Sequence, residues 1–175
     1  PRLETVTLAL AAEMLQSADL AQTHQDAARR AVDALDSGRA AAVFGRMVAA
    51  LGGPADFVEK METYLPKAPV EHAVLAPAGG FVSEIATRDL GIEVVALGGG
   101  RSRAEDAIDH SVGIDRLLPL GAEVAAGEAL AVVHARSQGD AERAAATVLR
   151  CYGIGPARPA TKKAVLRRIG SREAA

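Results

Sequence analysis

Apolar residues recur at three- and four-residue intervals through the first third of the chain, then give way to short runs broken by Gly and Pro. Leu3, Val6, Leu10, Met14 and Leu15 share one face, which predicts an amphipathic helix from Leu3 to Ala18. Ala9, Ala11 and Ala12 keep the surface around that face small enough for close packing. Thr23 reads as the N-cap of a second helix that carries Ala27, Ala28, Ala31, Val32 and Leu35 inward and stops at Gly38. A third helix, Arg39 to Leu51, puts Val43, Phe44, Met47, Val48 and Leu51 on one stripe before Gly52-Gly53-Pro54 ends it. A short helix from Asp56 to Tyr64 follows. Leu65-Pro66-Lys67-Ala68-Pro69 is then a stiff connector, which sets an expected boundary between a helical part, 1–66, and a mixed part, 67–175.

Beyond the connector the pattern shortens. Val70 to Ala76 and Gly80 to Ile85 read as strands around Pro77-Ala78-Gly79. Thr87 is the expected cap of a helix running to Leu97 and halted by Gly98-Gly99-Gly100, after which Asp106 to Gly113 is a loop or short helix. Strands are expected at Arg116 to Leu118 and Leu130 to Ala135, flanking the turn Gly121 to Gly127. A closing helix runs from Asp140 to Tyr152 with Ala144, Ala145, Val148 and Leu149 inward, and Ala164 to Ile169 is a possible edge strand. There is no solenoid-type repeat.

Composition narrows the picture. The 175 residues are 49% hydrophobic but only 3% aromatic, so the core must be filled by Ala, Val, Leu and Ile. A net charge of -2 with interspersed signs argues against a nucleic-acid-binding face. The exception, Lys162, Lys163, Arg167, Arg168 and Arg172, reads as a solvated tail. The single cysteine, Cys151, supports neither a disulfide framework nor a Cys-based metal site and fits a reducing, cytoplasmic setting. No apolar run is long enough for a membrane span. Pro1-Arg2-Leu3 leads directly into a helix with no Met before it, which reads as a fragment with something missing upstream.

Four features invite a chemical reading. The triple glycine with Arg101 and Arg103 suggests a phosphate loop, but the glycines close a helix instead of opening one, and a helix C-terminus repels anions. Asp109-His110-Ser111 holds triad residue types, yet neighbours in sequence seldom converge. His24, His72, His110 and His134 show no metal-ligand spacing. The arms 74–82 and 121–130 look like the halves of a biotinyl or lipoyl carrier domain, which suggests a barrel-like sandwich. The place of the modified lysine, however, holds His134-Ala135-Arg136-Ser137. No catalytic, cofactor-binding or metal residue is assigned, and no cofactor is expected.

Several blocks taken together resemble the C-terminal portion of the thymidine phosphorylases, in the pyrimidine-nucleoside phosphorylase family. They are Ala42 to Ala50 (AVFGRMVAA), Gly53 to Glu59 (GPADFVE), Gly80 to Ile85 (GFVSEI), Val94 to Arg101 (VVALGGGR) and Asp109 to Gly113 (DHSVG). The resemblance covers nearly the whole chain in the family's order. It implies an α+β fold in which N-terminal helices precede an α/β-hammerhead-like, barrel-sandwich β-rich domain with flanking helices. It places 1–66 as a helical segment of the parent enzyme's large α/β domain. It further implies an enzyme, usually a homodimer, that cleaves thymidine with phosphate to thymine and 2-deoxyribose 1-phosphate. The family's phosphate-binding segment and catalytic residues match no position here. The chain is therefore expected to be a structural part whose partner is the missing N-terminal part of the same enzyme, with no nucleic acid or membrane partner. A freestanding carrier or interaction module is the alternative.

Overall fold

The computed structural model describes residues 2–160 and 163–169. Pro1, Lys162 and Arg172, which the sequence reading invoked, lie outside the described residues. The chain divides into two compact units, Pro1–Met61 with Lys162–Ala175, and Glu62–Thr161.

The first unit is helical. Helix α1 (Arg2–Ser17) packs on α2 (His24–Asp36), and α3 (Arg39–Ala50) follows. Thr23 caps α2 as expected, its hydroxyl accepting from Asp26 N at 3.1 Å. What these helices bury is small: Ala12, Ala21 and Ala27 form the core, with Leu15 and Ala28 packed against it. Val32 and Leu35, expected to point inward, are instead 38% and 48% exposed. On α3 no residue is buried, and Val43, Phe44, Met47 and Leu51 all stand open. The region 164–169 forms no strand. Arg168, expected to be solvated, ion-pairs with Glu13 of α1 and donates to Gln16 Oε1 at 2.7 Å. Helix α4 (Phe57–Tyr64), which runs across the division at Met61, is broken by a non-helical Lys60.

The second unit carries the large side chains. Strands β1 (Val70–Leu75), β2 (Gly80–Ile85), β3 (Gly113–Asp115), β4 (Glu123–Val124), β5 (Ala129–Ala135) and β6 (Tyr152–Gly155) form two three-stranded antiparallel sheets, β1-β5-β3 and β4-β2-β6. The fold is mixed α+β, and neither sheet closes into a barrel. β5 is central because its run Leu130-Ala131-Val132-Val133 is buried on both faces, the pattern of an inner strand. Helix α6 (Gln138–Arg150) packs on β1 and β5 through Ala141, Ala144, Ala145 and Val148, whose small side chains let the helix come close. Leu130, Val82, Val133 and Val148 are the largest fully buried residues, each worth about 1.5–3 kcal/mol in burial.

Three local expectations shift. β3 lies at 113–115, not 116–118: Arg116 has φ 49°, a left-handed conformation that breaks an extended run, and Pro119 follows close behind. Helix α5 (Thr87–Val94) starts one residue earlier than a Thr87 cap implies, with Ala86 at the cap position and no side-chain cap bond. The helix runs on through a π-helical turn, Val95–Gly99, that ends where Gly98 takes φ +100°, which glycine adopts without penalty.

Leu130→Ala is expected to lower unfolding free energy by about 2–5 kcal/mol in chemical denaturation, a cavity-forming change in the inner strand. A loss below 1 kcal/mol would contradict the place given to β5. Gly99→Val is expected to lower the melting temperature, since a Cβ at Gly99 would meet Val94 O at 3.2 Å and Val112 O at 3.3 Å, neither able to move freely. An unchanged melting curve would show that the turn has room.

Candidate functional site

The glycine turn and the Asp109 segment meet in the second unit. Asp109 N donates to Gly98 O at 2.9 Å. The Asp109 carboxylate accepts from Ser111 N at 2.9 Å, from Ser111 Oγ at 2.6 Å and from Arg136 Nε. These donors, the Ser111 hydroxyl foremost, hold the carboxyl well below the usual carboxylate range. Arg136 also lies over Gly98: a Cβ there would sit 3.2 Å from its Nη2. The cluster is thus a clamp that fixes the end of the π-helical turn against the end of β5. His110 lies between Asp109 and Ser111 in sequence but is exposed, while the serine bonds the aspartate directly. No Asp-His-Ser relay is formed, because the imidazole is not interposed.

The loop after the glycines has already spent its donors. Ser102 N and Arg103 N both donate to Asp106 Oδ2, at 3.0 and 2.8 Å. The backbone groups that would cradle a phosphate hold a carboxylate of the same chain instead. Arg101 and Arg103 point from an exposed segment. Among the described residues no group of three His, Cys, Asp or Glu side chains could hold a metal ion.

The histidines are dispersed. His134 Nε2 lies 3.2 Å from Asp115 Oδ1 across the β3–β5 pair, and its Nδ1 lies 3.8 Å from Glu71 of β1. His24 Nδ1 faces Glu13 at 3.2 Å in the first unit. Burial and the charge of Asp89 raise the Cys151 thiol above its ordinary pKa, in that order of weight, so it is a poor nucleophile. The carrier reading fails at its tip: β5 runs through His134 and Ala135 into α6, whose N-cap is Ser137, so no hairpin stands where a modified lysine would be presented.

Sequence reasoning missed the pair between the buried Glu93 of α5 and the half-exposed Arg143 of α6, 2.9 Å apart. Its trace is a carboxylate on the same stripe as Leu90 and Leu97. β6 was also missed, because Tyr152 was read as the end of the preceding helix. Beside the pair of sheets, Ile85, Leu90, Val94, Ile114, Leu118 and Tyr152 line an apolar recess of about 320 Å³. The hydroxyls that line it are taken up within the chain: Tyr152 donates to Leu118 O at 3.2 Å and Thr87 to Ile85 O at 3.4 Å.

The lowered Asp109 pKa fixes the sign of a pH effect. The clamp contributes stability in full above the ordinary carboxylate pKa of about 4 and loses it as pH falls through the folded value. Asp109→Asn is expected to lower the melting temperature near neutrality. The gap to the parent chain should narrow as pH drops from about 5 to about 2. A gap that does not change with pH would mean that the charge on Asp109 contributes nothing.

Residues 81–155 match the family model described as the pyrimidine nucleoside phosphorylase C-terminal domain. Over 168 residues the chain is 66% identical to a protein named thymidine phosphorylase from Mesorhizobium japonicum and 49% identical to one of the same name from Agrobacterium fabrum. Each match covers 96% of this chain but 38% of the relative, so the chain spans less than two fifths of the length of the curated relatives it matches. Residues 81–155 are thus similar to the pyrimidine nucleoside phosphorylase C-terminal domain, and the chain as a whole is similar to part of two thymidine phosphorylases.

Proposed function

We propose that this chain is the C-terminal portion of a thymidine phosphorylase, a pentosyltransferase that converts thymidine and phosphate into thymine and 2-deoxyribose 1-phosphate, and that it supplies structure to that enzyme without its reacting groups. The observation that carries this reading is the 66% identity to a thymidine phosphorylase along 96% of the chain. At such identity the two polypeptides share their packing and, in the parent enzyme, their chemistry.

The geometry supports a structural role. The anion-cradling donors of the 102–103 turn are filled by Asp106, and the Asp109 carboxylate is held ionised by Ser111 and Arg136. A general base needs a free carboxylate or imidazole with a pKa near the working pH, and Asp109 is tuned the opposite way. In this reading 1–66 is a helical segment of the large α/β domain of the parent and 67–175 its hammerhead-like domain. The missing N-terminal part brings the phosphate site and the catalytic residues. The parent acts in the cytoplasm as a homodimer, closing over its cleft by a motion to which rigid remote elements contribute.

The 175-residue chain alone is expected to release no thymine from thymidine and phosphate, measured by chromatography of the base over hours. Phosphate-dependent release at a rate near that of the full-length Mesorhizobium japonicum relative would overturn the structural role.

A further inference from the structure

The helical unit presents a groove whose chemistry says what should fill it. Leu8, Ala11 and Met14 of α1 and Ala31, Ala34 and Leu35 of α2 line an open trough of about 410 Å³, to which Ala40 of α3 also contributes. The walls are almost wholly apolar. The one charged side chain lining it, Arg30, is turned to other partners: its guanidinium donates to Leu20 O at 2.6 Å and pairs with Asp26 at 2.8 Å. Met14 is 72% exposed, and Leu10, on the same helix, 60%.

Two observations argue that this trough is an incomplete core. The unit's own buried cluster is three alanines, too little apolar volume to hold three helices together in water. The thymidine phosphorylases that the chain matches devote more than half of their length to polypeptide outside it. The trough has the apolar lining that side chains spaced at i, i+3, i+4 and i+7 on one helix face would match.

We propose that this groove seats an apolar helix face contributed by the remaining polypeptide of the phosphorylase. The proposal rests on the reading of the chain as part of that enzyme. The occupant brings Leu-, Ile- or Val-type side chains to the trough and no charge to its floor, since a buried ion there would have no counter-charge.

The test co-expresses the tagged chain with the part of the Mesorhizobium japonicum thymidine phosphorylase that it does not cover. It reads both the amount of copurified complex and thymine release. A complex is expected with the parent chain. Met14→Glu, at a position too exposed to disturb folding, and Ala34→Glu are each expected to cut recovered complex at least tenfold, with far-UV helicity unchanged. Ala146→Glu, on the exposed side of α6, is expected to leave it intact. An active complex that both groove variants form as well as the parent chain would overturn the groove while leaving the enzyme reading in place. A groove-dependent complex that releases no thymine would do the reverse. Absence of any complex, or self-association of the chain abolished by Met14→Glu, would overturn the proposal, the latter in favour of a second copy as the occupant.

Discussion

The pairing of β5 with partners on both of its edges is the constraint on which the second unit depends. β1 reaches it from the far side of the helix and glycine turn, paired from Val70↔Ala135 to Leu75↔Ala129 with a register shift after Val74, and β3 from the near side at Ile114↔Val133. Among the described residues neither β1 nor β3 has another strand to bond. Closing these distant segments costs chain entropy, which the dehydration of Leu130, Ala131, Val132 and Val133 offsets. α6 follows in sequence only two residues after β5 and lies back on the same sheet, so the inner strand also positions the helix that carries Arg143 to Glu93. The buried carboxylate has its counter-charge within hydrogen-bonding reach, at 2.9 Å. Without Arg143 it would be an uncompensated charge between two helices.

The helical unit rests on a different balance. Its helices are well specified one by one: Thr23 caps α2, Asp26 pairs with Arg29 and Arg30, and Gly38 turns the chain with φ +76°. Local specification of that kind forms helices without giving them much to bury together. Val32 and Leu35 of α2 and Val43, Phe44 and Met47 of α3 stand exposed. The Arg168 pair with Glu13 is a polar tie on a scaffold short of apolar ones.

What could be read from the sequence follows the range of the physics. Helix bounds were legible to within a residue or two, because caps and glycine stops act locally, as Thr23, Gly38 and the Gly98 turn show. The strands at 70–75, 80–85 and 129–135 were legible from their β-branched runs between Gly and Pro. Which strand pairs with which was not: β1 and β2 are neighbours in sequence yet belong to different sheets, and β6 was hidden in the end of a helix. Inward-facing residues were right where a partner is present, as at Ala144 and Val148, and wrong at Val32 and Leu35, where periodicity names a face but not what covers it. At the candidate site, the helix-terminus argument against a phosphate loop came from the sequence. The reason supplied by Asp106 depends on a turn geometry that no spacing rule encodes.

The Asp106 turn has one further consequence. A carboxylate tethered three and four residues from the amides it occupies competes with any free anion at an effective concentration on the order of millimolar or above, with no association entropy to lose. A dissolved phosphate must displace a ligand that never diffuses away. The segment after the glycines therefore satisfies the amides of Ser102 and Arg103 from within, and what Arg101 and Arg103 offer outward is side-chain charge.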